Sequence, residues 1–255
     1  MVSQSTIKQV SPDRNAAAHP LMTKEVAQIL AKHKLHCIDD TAPELVDVLP
    51  PQAAHHSVFS KTKRLIDVLG AIAGLIVTAI IFIPIAVAIA LDSPGPIFYS
   101  QIRCGLKGKP FLIWKFRTMG TDADRQKHLV ENEAEGNFFK NKNDPRITRV
   151  GKFLRRTSLD EFPQFWNVLR GEMSLVGTRP PTPDEVENYQ GFHFQRLLVR
   201  PGITGEWQVR GRSSIKNFDD IVRLDIDYQR KWSPLYDLKL ILKTITVVFA
   251  KEGAY

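Results

Sequence analysis

The chain has 255 residues, 35 Lys and Arg against 27 Asp and Glu, a net charge of +8 and only two cysteines. That length holds one sizeable domain with extensions, and the positive balance suits anionic lipid headgroups, nucleic acid or a phosphorylated substrate. Cys37 and Cys104 lie in different segments without metal or redox spacing, which excludes a disulfide scaffold or a zinc site and fits a reduced cytoplasmic setting.

Residues 1–20 are polar and mixed, the composition of a disordered segment. Residues 21–34 allow a short helix, and 39–51 a further turn before Pro50 and Pro51. No basic start followed by an apolar run and a small-residue cleavage site occurs in the first sixty residues, so no cleaved signal peptide is expected.

Ser60 is a candidate N-cap for a helix beginning KTKRLIDVLG, in which Asp67 lies one turn from Lys63 and Arg64 and is expected to pair with them. Residues 68–91 then run for 24 positions without a charge. As a straight helix this stretch reaches about 36 Å, enough to cross a hydrocarbon core of about 30 Å. Two features complicate simple crossing. Pro84 lacks a backbone N–H and predicts a kink or break at about Ile83. Both flanks are also basic: residues 61–119 carry eight Lys or Arg against two acids, which favours holding both ends on the cytoplasmic side. A spanning helix with a proline kink and a re-entrant helix that turns back both satisfy these observations.

Beyond the run, the Asp92-Ser-Pro-Gly-Pro96 breaker returns the chain to the surface. Strands are predicted at 97–102 and 111–116, joined as a hairpin by CGLKGKP. Residues 118–133 have helical spacing and 135–143 read as a loop; 147–156 predict a basic helix mixing Arg149, Lys152, Arg155 and Arg156 with Val150, Phe153 and Leu154. Ser158 is a candidate N-cap for a helix over 159–169, with Glu161 at the capping-box position and Gly171 as its stop. GTRPPTP is a rigid loop, 185–199 is predicted helical, and PGITGEWQVRGR is a glycine-rich loop containing a short strand. Helices are predicted at 217–232 and 235–250, the latter as an interfacial amphipathic helix.

The richest chemical constellation is Arg155-Arg156-Thr-Ser-Leu-Asp160-Glu161. Adjacent carboxylates at a helix start, beside guanidiniums, stay ionised; one can attack phosphorus while the other handles a proton or, with it, holds Mg2+, which favours one or two carboxylates plus substrate phosphates. The same residues serve equally as an N-terminal cap with surface salt bridges. Arg117, Arg146, Arg149, Arg179, Arg210 and Arg212 recur beside glycine and proline, where a guanidinium forks onto phosphate. A nucleic-acid reader is not expected, since no zinc-finger or defensible helix-turn-helix pattern accompanies the charge, and neither GxGxxG nor GxxxxGKS occurs.

Taken together, KRLIDVLGAIAGLIV, DSPGPIFYSQIRCGLKGKPFLIWKFRTM, DPRITRVGKFLRRTSLDEFPQFWNVLRGEMSLVGTRP, RPGITGEWQVRGR and LDIDYQRKWSPLYDLKLILKT closely resemble the bacterial sugar transferase family, over about residues 60–250. The resemblance implies an α+β, mainly helical monotopic membrane protein: a variable leader over 1–58, a re-entrant membrane helix hairpin over 59–96, and a cytoplasmic catalytic domain over 97–255 with interfacial amphipathic helices and a small β-hairpin. It implies transfer of a phosphosugar from a UDP-sugar to a polyprenyl phosphate, with release of UMP, at the cytoplasmic face of the bacterial inner membrane, initiating an exopolysaccharide or O-antigen type glycan. By the same resemblance Asp160 is the nucleophile, Glu161 assists with Mg2+ and the acceptor step, and Arg117, Arg146, Arg149, Arg155, Arg156 and Arg179 hold phosphates or headgroups; Arg212 joins them as a phosphate-binding candidate from its place in the glycine-rich loop. Pro180, Pro201 and Gly202 match loop positions near the nucleotide. Membrane lipids are partners, and a second copy or other polysaccharide assembly proteins are partners left open; a non-catalytic membrane scaffold is the alternative function. The sequence departs from the family pattern at Ile83-Pro84, where relatives frequently have Ser-Pro, and at Glu206 and Arg210 in the glycine loop.

Overall fold

The computed structural model describes residues 54–250 apart from 124, 134–140, 142, 212–214 and 216. The expected helix at 21–34 and turn at 39–51 therefore lie outside the described residues, as does nearly all of the 135–143 loop. The fold is mainly helical, α+β, and among the described residues one helix is long and apolar enough to cross a membrane.

That helix, α1, runs from Lys61 to Asp92, and Ser60 caps it by accepting from the Lys63 amide at 3.2 Å. Helical structure continues through Pro84, so the predicted break is not an interruption of the helix. Its outward side chains, such as Ile80, Ile83 and Leu91, are largely exposed, whereas both ends are fixed to one folded body. At the start, Lys63 Nζ reaches Asp237 Oδ2 at 2.7 Å and the Val176 carbonyl at 2.9 Å. Arg64 donates to the carbonyls of Val168 and Leu169 at 2.8 and 2.7 Å. At the other end, Ile85 and Ile89 are buried with Phe116 and Leu154, and Asp92 accepts from the Val150 amide at 2.8 Å. Asp67 does not take the expected ion pair with Lys63 or Arg64. It accepts instead from Ser174 Oγ at 2.8 Å and the Leu175 amide at 2.9 Å, because the neighbouring cations reach past it to carbonyls and to Asp237.

Strands β1 (Phe98–Cys104) and β2 (Pro110–Phe116) form the predicted hairpin, antiparallel with Tyr99 opposite Lys115 and Arg103 opposite Phe111. Residues 118–133 do not form the predicted helix; Met119 pairs with Ile147 in an isolated bridge, and the described part holds only a 3-10 turn at Lys127–Leu129. The basic helix α2 (Arg149–Arg156) is capped by Thr148, and α3 (Gln164–Arg170) stops at Gly171 in the left-handed conformation, φ +81°. Between them lies a 3-10 turn, Leu159–Glu161.

Strand β3 (Ser174–Val176) pairs in parallel with β4 (Gly202–Thr204). The segment predicted as one helix over 185–199 is divided into α4 (Pro183–Glu187), with a capping box between Thr182 and Glu185, and a 3-10 stretch at Gly191–Leu198. The division falls at Gly191, whose φ of +48° leaves the right-handed helical region. The glycine-rich loop contains the expected strand but also α5 (Glu206–Gly211), followed by α6 (Phe218–Lys231) and α7 (Pro234–Ala250). Glu206 and Arg210, the two departures from the family pattern, pair with each other at 2.5 Å, and Tyr236 Oη donates to Glu206 at 2.6 Å, which ties α5 to α7.

The main core joins α1, β2, α3, β3, α6 and α7 through Ala71, Ile113, Val168, Val176, Tyr228 and Leu240. Close approach of α1 to α3 depends on Gly74, where an added Cβ would stand 2.4 Å from the Phe165 ring.

Candidate active site

Asp160 and Glu161 stand on the 3-10 turn rather than at the start of a regular helix. Ser158 is left-handed, φ +55°, and makes no side-chain cap, so the predicted capping box is not formed. Pro163 accounts for the geometry: within a helix starting at 159 it would bring no donor and crowd the preceding turn, so the regular helix starts at Gln164. The consequence is a short, tightly wound platform that presents both carboxylates.

Asp160 is buried, with 6% of its surface exposed. Lys115 of β2 reaches over the turn, its Nζ 3.0 Å from Glu161 Oε1 and 3.9 Å from Asp160 Oδ2. One ammonium thus neutralises part of a paired negative charge that would otherwise repel an incoming phosphate. Neighbouring Arg155 donates from Nε to Thr118 Oγ1 at 2.9 Å.

The remaining expected site residues separate into groups. Arg149 and Arg156 are exposed on α2. Arg117 is buried and spends its guanidinium on the carbonyls of Ser93, at 2.7 Å, and Pro94, clamping the chain where α1 ends. Arg146 forks onto Asp144, at 2.9 and 2.6 Å, and also donates to the Ala123 carbonyl. Arg179 forks onto Glu185 at 2.7 and 3.0 Å; against the upward push of burial, that guanidinium holds the Glu185 carboxyl below its usual range. These three arginines are committed to internal partners, so holding a phosphate would require each to give up bonds it already makes. Pro180 offers its carbonyl to Arg103 at 2.9 Å. Pro201 and Gly202 are buried and engaged with β3 and the residues just after it: Pro201 O accepts from the Ser174 amide at 2.8 Å, and Gly202 N donates to the Thr178 carbonyl at 2.8 Å. Arg212 lies outside the described residues.

Two cations of the hairpin were not singled out as site residues from sequence: Lys115 and Arg103. Their signal was available, since antiparallel pairing places Tyr99, Gln101 and Arg103 on the same face as Lys115, Ile113 and Phe111. Arg103 donates from Nε and Nη2 to Gln101 Oε1, at 3.1 and 2.7 Å. Burial, then the adjacent Arg179 charge, pushes its guanidinium down to about 10.

As a metal site the arrangement is partial. Among the described residues no three or more His, Cys, Asp or Glu side chains gather as a ligand set. Asp160 and Glu161 nevertheless supply hard oxygen donors in the number Mg2+ uses when substrate phosphates complete its shell, and they already hold one cation, the Lys115 ammonium.

The model of the bacterial sugar transferase family matches residues 58–251. The chain belongs to that family. Among its curated relatives, the galactosyl transferase CpsE of Streptococcus agalactiae is 50% identical over 194 residues, covering 75% of this chain and 43% of CpsE. The UDP-glucose:undecaprenyl-phosphate glucose-1-phosphate transferase of Escherichia coli is 39% identical over 200 residues, 76% of this chain and 41% of that protein. The exopolysaccharide production protein ExoY of Sinorhizobium fredii is 40% identical over 200 residues, 76% of this chain and 88% of ExoY. The chain thus matches less than half the length of CpsE and of the Escherichia coli enzyme but most of ExoY. The family model's match takes in α1, the hairpin, the Asp160-Glu161 turn and all of α7.

Proposed function

We propose that this chain is a membrane-associated phosphoglycosyl transferase that moves a phosphosugar from a UDP-sugar to a polyprenyl phosphate, initiating an extracellular glycan. The observation that carries this reading is a buried Asp160 beside Glu161, bracketed by Lys115, on a body to which both ends of an apolar 32-residue helix are fixed. Two of its relatives, a galactosyl transferase and a UDP-glucose:undecaprenyl-phosphate glucose-1-phosphate transferase, support a UDP-hexose donor.

Asp160 acts as the nucleophile. Its carboxylate oxygen forms a bond to the β-phosphorus of the donor while the bond from that phosphorus to the bridging oxygen breaks, and UMP departs with the electron pair. The acceptor's phosphate oxygen then attacks the same phosphorus, the acyl phosphate bond to Asp160 breaks, and the lipid diphosphosugar leaves. Lys115 offsets the negative charge that gathers at phosphorus in both steps, and Glu161 holds Lys115 in place. Asp160 and Glu161 are the residues that would hold Mg2+, which when bound supplies further neutralisation of the diphosphate.

We read α1 as re-entrant, entering and leaving the bilayer on the cytoplasmic side. In support, Lys63 and Asp67 near its start and Asp92 at its end all bond to the domain that carries Asp160. The deciding experiment is incubation with radiolabelled UDP-sugar and Mg2+ without acceptor. Label is expected on the protein and absent from Asp160→Asn; label persisting in that variant would remove Asp160 as the nucleophile. UMP release dependent on polyprenyl phosphate separates the enzyme from a non-catalytic scaffold.

A further inference from the structure

The arginines of this domain differ in what satisfies them. Arg146, Arg179 and Arg196 each fork onto or pair with a carboxylate, and Arg117 is taken up by two carbonyls. Among the described residues no carboxylate stands within ion-pair distance of Arg103; its direct partners are the neutral Gln101 amide and the Pro180 carbonyl, and the charges around it are Arg179 and, at longer range, Glu185 and Glu161. Glu185 is already forked onto Arg179, so one carboxylate serves two neighbouring half-buried guanidiniums at this end of the hairpin, and an incoming anion would complete the set. The fork from Gln101 and the Pro180 carbonyl use three of five N–H groups, which leaves donors for that anion.

Position decides which anion. Strand β1 starts at Phe98, just after the Ser93 and Pro94 carbonyls where α1 ends, and Arg103 stands near its far end. At about 3.3 Å per residue the strand carries Arg103 on the order of 15 Å beyond Phe98. Lys115, opposite Tyr99, stays at the near end with Glu161. Both cations share one face of the hairpin. A lipid phosphate is confined to the headgroup level by its tail and belongs at the Lys115 end. Ile113 and Phe111 on the β2 half of this face pack into the core, so a soluble donor extends from the dyad along the β1 half, past Tyr99 and Gln101, with its nucleotide-side phosphate toward Arg103.

We propose that Arg103 is a binding residue for the diphosphate of the nucleotide-sugar donor, held ready by Gln101 and the Pro180 carbonyl. This rests on the transferase reading above. Arg103 also links β1 to the 177–183 loop, together with the bond from the Cys104 amide to the Pro181 carbonyl at 2.9 Å, so filling this site stiffens the loop against the hairpin.

The test is equilibrium binding of UDP and of uridine to the full chain in nanodiscs, for the wild type, Arg103→Gln and Arg103→Lys. Loss of a charge-assisted phosphate contact is expected to weaken UDP binding by about tenfold or more in Arg103→Gln, with partial recovery in Arg103→Lys. Uridine, which has no phosphate, is expected to bind all three alike. UDP binding unchanged in Arg103→Gln overturns the inference and leaves the transferase reading standing. Equal losses for UDP and uridine assign Arg103 a purely structural role and overturn it too. A wild type that binds no UDP overturns both readings. In turnover assays the KM for the UDP-sugar is expected to rise while that for polyprenyl phosphate holds; a rise confined to the lipid would refute the donor assignment.

Discussion

Lys63 and Asp237, 174 positions apart, meet at 2.7 Å in an ion pair whose side chains are 7% and 2% exposed. Tyr228 Oη and Trp232 Nε1 donate to the same carboxylate, at 2.8 and 3.0 Å. The start of the apolar helix is thereby locked to α6 and α7, and with it the height of the Asp160 turn relative to that helix.

Removing one partner of such a pair leaves a buried charge uncompensated. Lys63→Met is expected to destabilise the protein by about 3–5 kcal/mol, read as a lowered unfolding midpoint in detergent or nanodiscs. The double variant Lys63→Met with Asp237→Leu is expected to recover much of the loss, and strict additivity of the two single changes would contradict the coupling.

Gly74→Leu tests the approach of α1 to α3. A side chain there would meet the Phe165 ring, where even the Cβ would lie at 2.4 Å. Overpacking of this kind costs about 1–3 kcal/mol. A companion Phe165→Ala change is expected to restore part of it; no loss of stability in Gly74→Leu alone would show that the helices separate freely.

Lys115→Met is expected to slow formation of the labelled Asp160 species by about 100-fold, the scale for losing one preorganised cation or donor at a reacting centre. Single-turnover labelling measures this directly. Arg117→Lys should act differently, by loosening the end of α1, and should appear first in protease sensitivity near Ser93 and Pro94.

Cys104 supplies a pH-dependent prediction. Burial is the main cause that pushes its thiol up from an ordinary 9.0 to about 12. In the native state the thiol keeps its proton while in the unfolded chain it loses it above about 9, so the unfolded state then binds fewer protons and stability falls as pH rises from about 9 toward 12. Below that window the thiol contributes no pH dependence. In a Cys37→Ser background, maleimide labelling of Cys104 at pH 8 is expected to be slow in the folded protein and rapid after denaturation; rapid labelling of the native state would place the thiol in contact with solvent.

Much of the chain was legible wherever a local rule decided the outcome. The Ser60 cap, the β-hairpin, the basic helix ending at Arg156, the Gly171 stop and the last two helices each follow from residues within a few positions of one another. Local reading failed where a distant partner took over. Residues 118–133 have helical spacing, but Met119 is paired with Ile147 and the Thr118 carbonyl accepts from the Thr148 amide. Ser158 has the identity of a cap and adopts a left-handed conformation instead, before a turn that Pro163 separates from the next helix.

For the site, the adjacency of Asp160 and Glu161 was written in the sequence, because neighbours in the chain cannot be far apart in space. The sequence also determined the apolar run and its basic flanks, and those flanks follow from composition alone. Which cations serve the carboxylates was settled only by tertiary structure. Arg117, Arg146 and Arg179 look the same in sequence as arginines that bind phosphate, yet carbonyls and carboxylates brought up by folding claim them, while strand pairing carries Lys115 onto the dyad and leaves Arg103 bonded directly to neutral partners. The physical reason is that charge identity is a property of a residue, whereas the satisfaction of that charge depends on groups that only the folded chain brings within about 3 Å.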